Sequence, residues 1–215
     1  MIKCCKNLFI FTGPMFSGKT TSIINSYNVS KFNSNQKLCF KFSKDRRYDN
    51  LVLENKSNKN NLKNYNDLND GNIISHNKIN IPSIYIDKCM SINKFISKNI
   101  KEIYIDEGQF FDDIYKWYKI INNSLNSVEN IYISGLNYDY RGKIFNNEFN
   151  KLLNIKNPYT NIYYHTSKCY ICQEKAEYSI LLNKSNLNKM EGNVLIADNS
   201  VYQPCCKNHV NFNIN

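Results

Sequence analysis

The run Gly13-Pro14-Met15-Phe16-Ser17-Gly18-Lys19-Thr20 constrains this chain more than any other stretch. It satisfies G-x-x-x-x-G-K-[ST] at every fixed position. Leu8-Phe9-Ile10-Phe11 precedes it, an apolar run of strand formers, and Ile23, Ile24 and Tyr27 follow on one helical face. Strand, glycine loop and helix together form the context in which this pattern has a mechanism. Gly13 and Gly18 permit a tight turn and close approach of the backbone to an anion. The loop N–H groups and the positive end of the helix dipole then face phosphate oxygens. Lys19 reaches the terminal phosphates, and the Thr20 hydroxyl is placed to ligate Mg²⁺.

Further along, the pattern predicts a strand at 8–12, a helix at 20–29 and a strand at 38–42. Lys44 to Tyr48 reads as a charged loop, and 49–80, polar and rich in Asn, mostly as loop. A strand follows at 82–86, then a short amphipathic helix at 91–98 with Ile92, Phe95 and Ile96 inward. Ile103-Tyr104-Ile105 is a strand, and 112–122 a helix presenting Ile114, Trp117, Tyr118 and Ile121. Residues 130–136 read as another buried strand. Alternating strands and helices predict an α/β fold, a parallel sheet flanked by helices, with ligands beyond the carboxyl ends of its strands. Helical periodicity fades and cysteines cluster near residue 160, so we expect a nucleotide-binding domain over 1–160 and a small lobe over 161–215.

Glu102-Ile103-Tyr104-Ile105-Asp106-Glu107 is an apolar strand ending in two carboxylates. In a protein with this glycine loop, a second Mg²⁺-directing acid belongs there. Asp106 is the expected partner of Thr20 for the metal, and Glu107 the expected general base toward an attacking hydroxyl. Adjacent strand residues point to opposite faces, so the two acids have different tasks.

The chain has 215 residues and eight cysteines. The N-terminus leads directly into the first strand without a separate apolar leader region, so export and a disulfide framework are not expected. No apolar run is long enough to cross a membrane. Those readings suggest a cytoplasmic protein. Cys169-Tyr170-Ile171-Cys172 is a C-x-x-C, and Cys205-Cys206-Lys207-Asn208-His209 offers C-x-x-H through Cys206 or C-x-x-x-H through Cys205. Three sulfurs and one imidazole suit a closed, structural Zn²⁺ site. The two-residue spacing favours Cys169, Cys172, Cys206 and His209. A redox C-x-x-C is the rival, and it lacks a neighbouring first strand and helix. The net charge is +10, yet Lys and Asn are spread through the chain and form no single basic stripe. A nucleic-acid-stimulated ATPase with a zinc ribbon is therefore the weaker reading, and no nucleic-acid partner is expected.

Taken together, Gly13 to Thr20, Asp106-Glu107-Gly108-Gln109-Phe110-Phe111 and the two cysteine knuckles resemble the type II thymidine kinases, the cytosolic, zinc-containing kind. Lys44-Asp45-Arg46-Arg47-Tyr48, Gly135 to Phe145 and Tyr202-Gln203-Pro204 are similar to further segments of that family. The resemblance spans about residues 8–210. It implies a P-loop α/β core with a small C-terminal zinc-binding lobe and a lasso loop. It also implies transfer of the ATP γ-phosphoryl group to the 5′-hydroxyl of thymidine. By that match Gly13, Pro14, Met15, Phe16, Ser17, Gly18, Lys19, Thr20, Asp45, Arg46, Arg47, Asp106 and Gln109 belong to the nucleotide region, and Glu107 is the base. Met15, Phe110, Leu136, Tyr140, Ser179 and Tyr202 surround the nucleoside. The lasso Asn193, Val194, Leu195, Ile196 and Ala197 bonds the base edge. The family relationship further implies a homotetramer or dimer and feedback inhibition by dTTP. Departures from the pattern are Ala197-Asp198 for a glycine pair, Asn137 for Asp, Tyr140 for Phe, and Cys205 for a basic residue.

Overall fold

The computed structural model describes residues 6–47, 70–75, 77–145, 147–182 and 201–210. Its centre is a seven-stranded sheet built from β1 (Asn7–Thr12), β2 (Lys37–Phe42), β3 (Asp70–Ile74), β4 (Asn80–Ile86), β5 (Glu102–Ile105), β6 (Asn130–Gly135) and β7 (Thr160–Tyr164). The strand order is β3-β4-β2-β5-β6-β1-β7, and every pairing is parallel except β3 with β4.

The period of two along the strands sorts their side chains onto two faces. Leu8, Ile10, Leu38, Phe40, Ile103, Ile105, Ile131 and Ile133 join one core. The helices α2 (Ile114–Asn123) and α3 (Glu148–Leu153) cover it with Ile114, Trp117, Ile121, Phe149 and Leu152. Phe11, Cys39 and Tyr104 face the other way, against Ile23 and Ile24 of α1 (Lys19–Val29). On that second face Phe9, Tyr132 and Tyr104 stack across three strands in register, with ring centroids 4.8 and 4.6 Å apart. Strands buried on both faces explain why the sequence shows continuous apolar runs.

Two local expectations change, and two further elements come in addition. Asp70–Ile74, inside a stretch read mostly as loop, is an antiparallel strand at the sheet's end. Only Ile73 and Ile74 supply a buried apolar signal there, and Gly71 lies against the Tyr85 ring, where a Cβ would stand 2.5 Å from it. The expected helix at 91–98 is a 3₁₀ turn over Cys89–Phe95 that buries Cys89 and Ile92, while Phe95 and Ile96 are only partly buried. The helix Glu148–Leu153 and the strand Thr160–Tyr164 were not anticipated. The helix is too short to develop a periodic pattern, and the strand's alternation of Asn161, Ile162 and Tyr163 gives a weak one.

Beyond the large sheet come two ribbons, β8 (Ser167–Lys168) with β9 (Lys175–Ala176), and β10 (Tyr178–Leu181) with β11 (Tyr202–Cys205). Their shared core consists of Cys169, Ala176, Ile180, Cys205, Cys206 and Val210. Among the described residues no helix is long and apolar enough to cross a membrane.

Candidate active site

Parallel strands β1, β5 and β6 end at one edge of the sheet, and each delivers its next residues there. After β1, Gly13 has φ +147° and packs so tightly on the segment after β7 that a Cβ would stand 2.3 Å from the His165 carbonyl oxygen. Phe16 and Gly18 adopt positive φ, and Gly18 begins α1. The Lys19 ammonium is buried and donates to the Pro14 carbonyl at 2.6 Å. Burial pulls its pKa down to about 8, opposed by Glu107 and Asp106, so it remains mostly a cation at neutral pH.

β5 delivers the two acids into different surroundings. Asp106 is 4% exposed. Its oxygens lie 3.3 and 3.4 Å from the Thr20 hydroxyl, and it accepts from the Ser134 hydroxyl of β6. Burial, with Glu107 adding, pushes its carboxyl up to about 6. Glu107 sits in the left-handed region at φ 56°, a conformation costing about 1–2 kcal/mol for a residue with a Cβ. Gly108 makes room for that turn, since a Cβ there would stand 2.8 Å from Ile133 and 2.9 Å from Phe149. One Glu107 oxygen accepts from Arg47 Nη2 at 2.5 Å and the other from Gln109 Nε2 at 2.6 Å. Burial alone raises this carboxyl, but Arg47, with help from Lys19 and Gln109, holds it below its ordinary value.

Arg47 is the hinge of an ordered chain. Its Nε and Nη2 meet both Asp45 oxygens at 2.7 and 2.8 Å while Nη2 also reaches Glu107. Lys41 lies 3.8 Å behind Asp45. On the far side, Gln109 Oε1 accepts the Leu136 N–H at 3.0 Å. Asp45, Arg47, Glu107, Gln109 and Leu136 therefore form one connected line across the ends of β2, β5 and β6. Arg46 instead turns away, with its guanidinium 3.7 Å over the Tyr85 ring and its Nε bonded to the Ser43 carbonyl.

Among the residues assigned to the nucleoside, the Met15 N–H donates to Ser179 Oγ at 2.8 Å, which ties the glycine loop to β10. Phe110 packs on Phe42 with centroids 5.5 Å apart. Tyr202 is buried in β11 opposite Leu181. Tyr140 lies in the turn that Asp139 and Arg141 close, with the Arg141 guanidinium 5.4 Å from its ring. Asn193, Val194, Leu195, Ile196 and Ala197 lie outside the described residues, as do Tyr48, Cys4, Cys5 and Asp198.

In the small lobe the ligand atoms of Cys169, Cys172, Cys206 and His209 all lie within 4.8 Å of one another. Cys172 and Cys206 sulfurs are 3.7 Å apart, and Cys206 and Cys169 sulfurs lie 3.2 and 3.6 Å from His209 Nδ1. Zinc–sulfur bonds of about 2.3 Å in a tetrahedron place sulfurs about 3.8 Å apart, so this cluster can hold that ion. Although burial acts against it, backbone N–H groups of Cys172, Cys206 and Ile171 bring the Cys169 thiol down to about 5, as a ligand requires. Cys205 is also buried, yet its sulfur turns to the Cys206 carbonyl at 3.4 Å, outside the cluster.

Two residues at the site escaped the sequence reading. Ser134 supports Asp106 only because β6 lies beside β5, a register no local pattern encodes. His165 reaches the glycine loop because β7 lies beside β1.

A family model described as thymidine kinase matches residues 6–70 and 56–210. A thymidine kinase of Aster yellows witches'-broom phytoplasma (strain AYWB) is 34% identical over 202 residues, covering 93% of this chain and 84% of that protein. One from Bacteroides fragilis (strain YCH46) is 27% identical over 198 residues, covering 92% and 83%. Thymidine kinase a of Arabidopsis thaliana is 25% identical over 204 residues, covering 93% and 73%.

Proposed function

This chain belongs to the thymidine kinase family, and we propose that it transfers the γ-phosphoryl group of ATP to the 5′-hydroxyl of thymidine. One observation carries the reading. The glycine loop with buried Lys19, the Thr20–Asp106 pair and the Arg47–Glu107–Gln109 line meet at one edge of one sheet.

Phosphoryl transfer asks a protein for positioning and charge stabilisation more than for covalent chemistry. The loop N–H groups and Lys19 hold the phosphates. Thr20 and Asp106 are the residues that would hold Mg²⁺, which when bound neutralises charge on the phosphate oxygens. Their oxygens already face one another at 3.3 and 3.4 Å. Glu107 accepts the proton of the 5′-hydroxyl. Its depressed pKa keeps it ionised and ready, and Arg47 and Gln109 fix its two oxygens in place. Because Arg47 also grips Asp45, its guanidinium stays at the mouth of the phosphate site, where it can offset developing charge. Met15, Phe110, Leu136, Tyr140, Ser179 and Tyr202, with the 193–197 segment, take the nucleoside. Cys169, Cys172, Cys206 and His209 hold a structural Zn²⁺. In the same reading the enzyme is a cytoplasmic homotetramer or dimer, inhibited by dTTP across the same site, with no nucleic-acid partner.

The test uses labelled ATP with thymidine, deoxyuridine, deoxycytidine and deoxyguanosine, beside an ATPase assay with single-stranded DNA. Thymidine should be phosphorylated best. Deoxyuridine lacks one methyl group, worth about 0.8 kcal/mol of burial. Deoxycytidine reverses the donor pattern of the base edge, which costs about 1–3 kcal/mol for each buried group left unpaired. Absence of nucleoside phosphorylation together with DNA-stimulated ATP hydrolysis would defeat this reading.

A further inference from the structure

A loop that turns its N–H groups inward toward an anion turns carbonyl oxygens outward, and those oxygens need donors of their own. Pro14 O accepts from Lys19 Nζ at 2.6 Å and Ser17 Oγ at 2.8 Å. Gly18 O takes the Ser22 N–H at 2.9 Å in the first turn of α1. Phe16 O and Ser17 O are met from outside the loop, by Ser167 Oγ at 3.4 Å and His165 Nδ1 at 3.1 Å.

His165 makes the larger contribution. Its backbone N–H donates to Thr12 O at 2.7 Å, continuing the β1–β7 pairing past the strand ends, and its own carbonyl seats Gly13. A carbonyl can only accept, so Nδ1 carries the ring proton. Nε2, 3.4 Å from Ser22 Oγ, then accepts from that hydroxyl. Burial, with Lys19 adding, holds the ring's pKa below its ordinary value against the opposing Ser17 bond, which keeps this tautomer uncharged at neutral pH. Phe11 meets the ring edge-on at 5.9 Å and fixes its plane.

We propose that His165 is a positioning residue for phosphate binding: its imidazole fastens the outer face of the Gly13–Thr20 loop to the first turn of α1. The inference rests on reading that loop as the phosphate site. Held from behind, the loop presents its N–H groups before nucleotide arrives, and binding loses less conformational freedom. Both ring nitrogens are engaged with protein, so His165 takes no proton from substrate. Its ring meets Ser17 O and Ser22 Oγ and not Met15, the loop residue assigned to the nucleoside, so the effect falls on ATP more than on thymidine.

Calorimetric titration with Mg-ADP and steady-state kinetics on the full chain test this, using His165→Leu, His165→Asn and His165→Gln. We expect His165→Leu to raise the Mg-ADP Kd and the ATP KM about fivefold, the scale of one hydrogen bond. The thymidine KM should stay within about twofold, below the scale of one hydrogen bond. The Asn amide can occupy the place of Nδ1 and should restore most of the affinity. The Gln amide reaches the place of Nε2 instead and should not. If His165→Leu does not fold, the Asn–Gln pair still decides, since both are polar and differ in where the amide sits. Equal rises in both KM values, or an Asn variant no tighter than Gln, would overturn the inference alone. Wild-type protein that fails to bind Mg-ADP would overturn the phosphate-loop reading and this inference with it.

Discussion

The cleft and the cysteine lobe hold their functional atoms in opposite ways. Asp106 and Glu107 extend from β5, whose neighbours bury Ile103, Ile105, Ile131 and Ile133 completely. Each such side chain contributes about 1.5–3 kcal/mol of burial, so the cleft inherits its geometry from a large apolar core. The lobe's core is half cysteine, and its ribbons contain strands of two and four residues. Two-stranded ribbons are marginal alone, so an ion held by Cys169, Cys172, Cys206 and His209 would supply there the cohesion that aliphatic packing supplies elsewhere. In the cleft, chemistry is an addition to a stable frame. In the lobe, a bound ion would itself be part of the frame.

Five substitutions test that contrast, in descending order of expected effect. Glu107→Gln should lower kcat at least about 10²-fold, as expected for loss of a general base, while calorimetry shows ATP and thymidine still bound. Turnover near the wild-type value would remove Glu107 from that role. Cys206→Ser should strip the metal and open the lobe, seen as loss of zinc by metal analysis and rapid proteolysis around residues 167–210. The large sheet should keep its circular-dichroism signal, and a chain that unfolds as a whole would erase the distinction between the two regions.

Trp117→Ala empties the largest fully buried side chain of the main core and the bond from its Nε1 to Asn93. It should cost about 3–5 kcal/mol in denaturant unfolding while leaving metal content unchanged. Asp45→Asn gives a smaller, pH-dependent effect. Burial raises the Asp45 carboxyl, but Arg47, with Lys41, more than offsets this and holds it below its ordinary value. That ionised group contributes stability above the unfolded carboxylate range, and the contribution is lost as pH falls through the folded value. The stability gap between wild type and Asp45→Asn should therefore be widest near neutrality and close below about pH 4. A gap that widens on acidification would contradict the assignment. Cys205→Ser, next door to a ligand, should retain its zinc. Loss of metal there with retention in Cys206→Ser would exchange the two assignments.

Much of this arrangement is legible from residues alone, wherever a local rule dictates geometry. Gly13 to Thr20 announces a loop between strand and helix because its glycines and its flanking apolar runs leave few other conformations. Ile103-Tyr104-Ile105 followed by two acids marks a strand end, because only a strand buried on both faces is apolar at every position before turning abruptly charged. The spacing of Cys169 with Cys172, and of Cys206 with His209, states a ligand set because short loops fix how far apart their side chains can stand.

Which of these local pieces meet is set by pairing between distant segments of the chain. Ser134 reaches Asp106 and His165 reaches Ser17 through strand pairings between residues far apart in sequence, β5 with β6 and β1 with β7. Arg47 joins Asp45 to Glu107 because β2 pairs with β5. The two cysteine pairs meet because β10 pairs with β11, which brings Cys206 and His209 to Cys169 and Cys172, while the Cys205 sulfur turns to the Cys206 carbonyl. Propensity and spacing act over a few residues, whereas strand order is set by burying two sheet faces at once, and that is a property of the whole chain.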